Sequence, residues 1–399
     1  MSTLCSIPWT GFSNEPDGRV QPCCLYKGYI TDEAGDPMYI QTSTTKEILH
    51  SEFMRNLRQQ FRDGEKPAGC STCWTDESNN YDSKRMIYNT KIPRSFEIDW
   101  EAEPDDVREL QLIISNSCNL KCRSCTPSHS TQWQNEMRTR TGSTNYPMPH
   151  KQSADEFGKL WTERHEWYKT LTRLEVVGGE PFYVKQWHTM IDELISLGYS
   201  KNIDITMTTN CTLFFPDLID RMADNFKSVS IGLSIDGIGS TFEYLRHLGK
   251  WNVVYENMKK YHALTKPINI QINITISWLN ALQITELHQL IRTEFPKFAI
   301  WNNIVHSPVH MALWAAPHEL KQEVRNLWEE YSWDEKDEHT MQGILQYMDS
   351  KDITENEFSK NLNILYETDA HRKEKLAESI PILNKFIVLV SKDKENAGI

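Results

Sequence analysis

The sequence has no apolar run long enough to cross a membrane, since a spanning helix needs about 20 consecutive apolar residues. Its first residues, Met1 to Cys5, show neither the basic start nor the apolar core of a secretory signal peptide. It also has no internal repeat and no low-complexity tract. We therefore expect a cytoplasmic protein without a membrane partner, whose cysteines stay reduced rather than form disulfides.

Basic residues are in the minority, with 43 Lys and Arg against 55 Asp and Glu, which gives a net charge of −12. This balance argues against a surface that coats nucleic acid. The 39% hydrophobic and 25% charged fractions are ordinary for a globular protein. At 399 residues the chain has room for one large domain or for two or three modest ones. The nine cysteines are mostly clustered, as metal ligands are.

Three cysteines with C-x3-C-x2-C spacing, Cys118, Cys122 and Cys125, come directly after the apolar, strand-like stretch from Leu110 to Ile114. Three thiolates cannot complete a four-iron cluster, because each iron needs its own protein ligand. One iron is left open, and a ligand can bind there. The alternative is three buried or zinc-binding cysteines, although zinc sites usually pair two cysteines with two further ligands.

A second motif follows the apolar strand from Leu174 to Val177, and it consists of Gly178, Gly179, Glu180 and Pro181. The two glycines let the backbone approach a ligand closely. The Glu180 carboxylate can accept hydrogen bonds from an ammonium group. Alone, the motif is an ordinary turn, but its position one helix after the cysteine triad gives it weight.

Together these motifs resemble the signature of the radical S-adenosylmethionine (radical SAM) superfamily. The resemblance implies that Cys118, Cys122 and Cys125 hold a 4Fe–4S cluster whose open iron binds the methionine moiety of SAM. It also implies that the turn from Gly178 to Pro181 contacts the amino group of SAM. Reduction of the cluster then cleaves SAM to a 5′-deoxyadenosyl radical, which abstracts a hydrogen atom from a substrate.

Later strand ends extend the resemblance in order and spacing. Thr209 and Asn210 stand where the family often has Thr-Asn-Gly, with Cys211 in place of the glycine. In relatives, a serine and an arginine after the next strand reach the ribose and the carboxylate of SAM. The resemblance therefore assigns SAM binding to four further residues: Asn210, Ser234, Asp236 and Arg246. One departure is Ser124, which replaces an aromatic residue that many relatives place beside the adenine.

The N-terminal region contains a second set of four cysteines, Cys5, Cys23, Cys70 and Cys73. Their spacing, with Gly18 between the first two, resembles the SPASM/twitch modules that hold auxiliary 4Fe–4S clusters. Four thiolates would fill such a cluster completely, and a zinc site is the alternative. The departure is position, since in most relatives this module follows the barrel.

Two cysteines are left over, Cys24 and Cys211. Cys24 is either buried or a substitute for Cys23 as a ligand. Cys211 follows the third predicted strand of the core, and it is either a small core residue or a hydrogen-atom donor, as the cysteine of some radical SAM epimerases is.

Alternating strands and helices predict an α/β fold, a partial (β/α)6 TIM-like barrel with a small Cys-rich N-terminal module and a helical C-terminal tail. The polar stretch 127–153 is predicted to be a long connection that can cover the active site. We expect the tail to pack on the side of the barrel or on its lower opening.

The expected regions are a module over 1–92, a linker over 93–106, the barrel over 107–310 and a helical extension over 311–399. The predicted strands are 107–115, 173–177, 203–209, 227–235, 268–277 and 298–306. The predicted helices of the barrel are 155–170, 183–197, 215–226, 239–265 (as two) and 280–295.

The expected activity is that of a radical SAM enzyme acting on a peptide or protein side chain, with an electron donor such as flavodoxin or ferredoxin. Oxidation or rearrangement of a small molecule or nucleotide is the alternative within the family. A non-catalytic iron–sulfur or zinc protein is the alternative of another class.

Overall fold

Eight strands form one sheet in the computed structural model, which describes residues 2–142 and 164–387. Six of them, β3 to β8, are the predicted barrel strands, and each pairs in parallel with the next along the chain. The strands are β1 Gly11–Asn14, β2 Val20–Gln21, β3 Glu109–Leu112, β4 Arg173–Val176, β5 Asp204–Thr209, β6 Ser228–Ser234, β7 Asn269–Ile276 and β8 Ala299–Ile304.

Helices alternate with the barrel strands, as predicted. The predicted pair over 239–265 is present as two helices, and the stretch 127–153 contains a helix that was not predicted. The helix predicted over 155–170 lies outside the described residues up to position 163. The helices that accompany the barrel are Thr131–Thr141, Arg164–Tyr168, Lys185–Ser196, Pro216–Asn225, Gly239–Leu245, Trp251–His262 and Ile284–Glu294.

Side chains on the barrel strands alternate between an apolar and a polar face. In β7 the isoleucines at 270, 272, 274 and 276 are buried, whereas Gln271, Asn273 and Thr275 are only half-buried. The apolar set packs under the helices because burial of apolar surface drives folding. The polar set faces inward. A closed TIM barrel fills its interior with bulky branched residues, but here the polar face lines a cavity of about 560 Å³.

The N-terminal region continues the barrel sheet. Strand β1 pairs in parallel with β3, with Phe12 opposite Leu110, and β2 pairs antiparallel to β1. Sequence patterns do not indicate this continuation. The other helices of this region are Ile7–Thr10, Thr45–Leu49, Glu52–Arg62, Ser71–Ser78 and Lys84–Thr90.

The C-terminal extension is helical, as predicted. It packs on the barrel side, as expected, where Asp337 pairs with Arg292 of the helix Ile284–Glu294. It also packs on loops at the carboxyl ends of the strands, which was not expected. Trp328 donates its indole N–H to the carbonyl of Ala281, just after β7, and Phe358 packs edge-on against Trp278. Buried indoles find a partner for their N–H, and these loops offer free carbonyls. The helices of the extension are His318–Glu330, Glu335–Met348, Glu355–Arg372 and Leu376–Ser379. No described helix is long and apolar enough to cross a membrane.

Candidate active site

The cysteine triad lies in the loop that follows β3, at the carboxyl edge of the sheet. Cys118 is buried, and its Sγ accepts the backbone N–H of Leu120 at 3.4 Å. The Asn210 side chain approaches the same sulfur at 4.0 Å, and a guanidinium nitrogen of Arg246 lies 3.9 Å from the Cys122 sulfur. Hydrogen bonds to sulfur are one of the means by which proteins tune iron–sulfur clusters.

The loop is held by the helix Thr131–Thr141 behind it. The Ser130 hydroxyl caps this helix by accepting the N–H of Trp133, and it donates to the carbonyl of Leu120 at 2.6 Å. The Trp133 indole donates to the carbonyl of Cys122, also at 2.6 Å. The residues that follow the triad therefore fix its backbone.

Burial dominates the electrostatics of the three thiols. It raises the pKa of Cys118 to about 12, and it raises the pKa of Cys122 and of Cys125 as well. Each of the three thiols also interacts electrostatically with at least one of the others. Bare thiols in this loop stay protonated, but coordination to a metal removes the proton outright. The donor set therefore fits a cluster that supplies its own positive charge.

Across residues 2–142 and 164–387, no three His, Cys, Asp or Glu side chains are grouped to hold a metal ion. A four-iron cluster spreads its thiolates over several metal atoms rather than around one.

The Gly178–Gly179 turn packs directly against the cysteine loop. Both glycines have positive φ, of 84° and 54°, which favours glycine. A Cβ on Gly179 would lie 2.4 Å from the carbonyl oxygen of Ser117, so no side chain fits there. The N–H of Glu180 donates to the same carbonyl at 2.9 Å. The turn is thus attached to the residue just before Cys118.

Glu180 is fully buried and already has several partners. Its Oε1 accepts from the Thr209 hydroxyl at 2.7 Å and from the Phe182 N–H at 3.1 Å, and its Oε2 accepts from the Asn210 N–H at 2.7 Å. Burial raises its pKa to about 7. These donors use three of about four acceptor positions of a carboxylate, so one remains for a ligand. The carboxylate also ties the turn to the end of β5.

The other predicted SAM-binding residues surround the same loop. Asp236 accepts the N–H of Thr275 at 2.8 Å and pairs with Arg246 at 2.8 Å. Arg246 thus links this carboxylate to the Cys122 sulfur, and its Nε is buried without a hydrogen-bond partner. Ser234 ends β6 and is half-buried. The structure brings Asn210, Asp236 and Arg246 next to the triad.

The second set of cysteines lines one small cavity. Cys5, Cys23, Cys70 and Cys73 all contact it, together with apolar residues such as Phe61. Burial raises the pKa of Cys5 to about 12 and raises the pKa of the other three thiols. As in the triad, these four thiols need a metal to become thiolates, and their convergence on one cavity fits an auxiliary cluster.

Arg85 fixes the first of these cysteines in place. Its guanidinium makes two hydrogen bonds to Glu77, of 2.9 and 2.6 Å, and donates to the carbonyls of Ser2 and Leu4. The Ser83 hydroxyl completes the set by donating to Glu77 at 2.6 Å. The segment that carries Cys5 is therefore bound to the segment that follows Cys73.

The two remaining cysteines lie elsewhere. Cys24 is exposed and accepts from the Lys84 ammonium at 3.2 Å, outside the cavity that the four cysteines share. Cys211 is fully buried, and its thiol points to the carbonyl of Val254 at 3.8 Å. Its φ of 62° explains why the matching position favours glycine. Cys211 does not line the barrel cavity, so its geometry fits the core residue rather than the hydrogen-atom donor.

A buried ionic network behind the cysteine loop was missed by the sequence reasoning. Arg123 bonds to Asp369 and, at 2.7 Å, to Glu374, and its guanidinium stacks 3.5 Å from the Tyr244 ring. Arg372 pairs with Glu136 at 3.1 Å, with both side chains fully buried. The network connects the C-terminal extension to the cysteine loop. No sequence signal links these residues, since Arg123 and Asp369 are 246 positions apart.

We expect Arg123→Ala to destabilise the protein by about 3–5 kcal/mol, because it leaves the buried carboxylate of Asp369 without its cation, while the half-buried Glu374 keeps its contact with His247. Urea unfolding monitored by circular dichroism measures the change. The control is Lys375→Ala, which removes a pair with Glu378 whose side chains are 72% and 69% exposed. That control should change stability little, because an exposed ion pair is screened by solvent. Equal effects in the two variants would show that the network does not hold the extension.

Two family models match the chain. One describes the radical SAM superfamily and matches residues 112–277, and the other describes an iron–sulfur cluster-binding domain, SPASM, and matches residues 5–74. A search of curated proteins finds no match.

The solved structures that the chain matches include two SAM complexes. Native anSMEcpe with bound AdoMet is 18% identical, with a TM-score of 0.38, over 54% of this chain and 57% of that one. SuiB of Streptococcus suis bound to S-adenosylmethionine is 16% identical, with a TM-score of 0.34, over 72% and 60%. The chain thus spans less than two thirds of either structure's length. The family matches, in the order in which they occur, show that this chain is a radical SAM protein with an N-terminal SPASM-type domain, and that its cofactors are SAM, a SAM-binding 4Fe–4S cluster and an auxiliary iron–sulfur cluster.

Proposed function

We propose that the protein reductively cleaves SAM and uses the resulting radical to abstract a hydrogen atom from a peptide or protein side chain bound in the barrel. The observation that carries the proposal is the convergence of Glu180, Asn210 and Arg246 on the loop of Cys118, Cys122 and Cys125. When bound, the cluster with SAM supplies the 5′-deoxyadenosyl radical; this chain supplies binding, orientation and shelter from water.

The residues of the site divide these tasks. The three thiolates would hold the cluster and leave one iron open. The free acceptor position of Glu180 suits the ammonium group of SAM, and Arg246 suits its carboxylate. Asp236 keeps the guanidinium of Arg246 in place through its 2.8 Å pair.

The barrel cavity offers the place for the substrate. Thr206 and Thr208 of β5 line it, and Asn210, two positions further on, approaches the Cys118 sulfur. The cavity therefore begins next to the predicted SAM site. A volume of about 560 Å³ is in the range of small-ligand pockets, and it admits one side chain of a longer substrate.

The proposal is tested with protein reconstituted without oxygen. We expect about eight irons per chain, from two four-iron clusters, and formation of 5′-deoxyadenosine from SAM after reduction with dithionite. Peptide libraries and small alcohols or nucleotides are then offered as substrates in parallel. Reconstituted protein that binds iron but yields no 5′-deoxyadenosine would favour the non-catalytic alternative.

We expect Glu180→Gln to weaken SAM binding about ten- to a hundredfold, because a charge-assisted hydrogen bond contributes roughly 1.5–3 kcal/mol. Equilibrium dialysis with labelled SAM measures the affinity, and the iron content should not change. The control is Thr209→Val, which removes a donor to Glu180 but keeps the negative charge. If both variants weaken SAM binding equally, Glu180 braces the turn and does not contact SAM.

A further inference from the structure

The cavity inside the barrel has two walls of different origin. One wall is the polar face of the strands, and the other comes from the N-terminal domain, including Asp76 and Tyr81. We propose that this cavity binds a cationic group of the substrate, an ammonium or a guanidinium, through the carboxylate of Asp76. The inference rests on the proposed function, since it names the chemistry of the side chain that enters the barrel.

Asp76 is a buried carboxylate without a hydrogen-bond donor at one of its oxygens. It lies on the helix Ser71–Ser78, is 2% exposed, and its Oδ1 has no partner. Leaving a buried charge without a partner costs free energy, so such a group usually has a counter-charge or a ligand. Burial raises its pKa to about 7, as expected where no cation is close.

The nearest basic group does not supply that counter-charge. The Nε2 of His306 lies 3.5 Å from Asp76 Oδ1, which is too far for a good hydrogen bond. Burial also lowers the pKa of His306 from its usual value near 6.5, so its ring is neutral at pH 7. His306 therefore leaves the charge of Asp76 unbalanced.

The other charged side chains that line the cavity are already paired. Lys84 lies 3.7 Å from Glu175, which also accepts from the Tyr88 hydroxyl at 2.9 Å. Arg173 lies 3.9 Å from Glu109, and Asp82 pairs with Lys91 at 2.5 Å. Within the described part of the chain, Asp76 is the one carboxylate of this lining without a Lys or Arg partner.

Among the described neutral side chains of the lining, the buried group without a partner is also an acceptor. The side-chain oxygens of Asn273 and Asn303 are taken by donors from Gln271 and Trp301, whereas Oε1 of Gln111 is buried without a donor. Two acceptors of the lining, one of them a carboxylate, thus lack donors. Among the described lining residues, the one buried donor without a partner is the Nε of Arg173, and it already faces the Glu109 carboxylate at 3.9 Å. An ammonium carries three donors and a guanidinium five, and neither carries an acceptor. A lysine or arginine side chain can therefore donate to both acceptors, Asp76 and Gln111.

The test uses the full reconstituted chain with SAM bound and without reductant. The probes are blocked pentapeptides Gly-Gly-X-Gly-Gly in which X is lysine, arginine, norleucine or glutamate, and calorimetry measures their affinity at pH 8. We expect the lysine or the arginine peptide to bind at least about tenfold more tightly than the norleucine peptide, as a charge-assisted contact implies. The glutamate peptide should bind most weakly.

Asp76→Asn should remove the preference for the cationic peptides, and Asp82→Asn, on the same wall but paired with Lys91, should keep it. A wild-type protein that binds the norleucine peptide as tightly as the lysine and arginine peptides overturns the inference, whatever the variants do. So does a folded Asp76→Asn variant, with unchanged iron content and melting temperature, that keeps the preference. The proposed function is tested separately by 5′-deoxyadenosine formation in reduced wild-type protein, which does not depend on these affinities.

Discussion

Replacement of any one of Cys118, Cys122 and Cys125 by alanine is expected to abolish SAM cleavage. The triad already leaves one iron without a protein ligand, so loss of a second ligand opens the cluster to dissociation. No other cysteine can take the vacant place, because Cys24 bonds to Lys84 and Cys211 points to the carbonyl of Val254. The measurement is 5′-deoxyadenosine produced by reduced protein, together with iron content, which should fall by about four per chain.

The matched control for this prediction is Cys211→Ala, which also removes a buried thiol near the carboxyl edge of the sheet. Its sulfur faces the helix Trp251–His262 rather than the triad, so iron content and SAM cleavage should persist. If a variant in which Cys118, Cys122 and Cys125 are all replaced by alanine still produces 5′-deoxyadenosine, the assignment of the core cluster is wrong.

The strands of the barrel could be predicted because their sequence pattern is local. In β7 every second residue from Ile270 to Ile276 is isoleucine, and the period of two identifies a strand whatever its partners are. The same holds for the turn at Gly178 and Gly179, where the positive φ of both residues favours glycine. A structural requirement that is set within a short segment can be recognised from the residues of that segment.

Strand β1 could not be predicted because nothing local distinguishes it. It is four residues long and buried on both faces, so it shows no alternation. Its pairing with β3 depends on Gly11, where a Cβ would lie 1.6 Å from the carbonyl oxygen of Glu109. That requirement comes from a strand far along the chain, and an isolated glycine does not reveal it. The position of the C-terminal extension depends likewise on distant charge pairs, such as Arg123 with Asp369.

The double variant Cys70→Ala/Cys73→Ala is expected to lose product formation but to retain some SAM cleavage. Removing two of four thiolates should release about four irons, because the two thiolates that remain leave two irons without their protein ligands. The triad is ligated independently, so its cluster should remain and cleave SAM without coupling to product. We infer that the auxiliary cluster accepts or relays an electron from the substrate radical, since four cysteines leave no iron open for substrate.

The pairing of β1 with β3 connects the two cluster sites, so loss of the auxiliary cluster can affect the triad through the sheet. Cys5 precedes β1, and Cys118 follows β3, so both clusters lie on segments of one continuous sheet. If the sheet needs the auxiliary cluster to form, the double variant will lose both clusters, and the role of the auxiliary site is in folding. If Arg85 and the β1 pairing suffice, only four irons are lost and the melting temperature changes little. Zinc in place of iron at this site, in protein prepared without oxygen, would rule out electron relay, because Zn²⁺ has no redox chemistry.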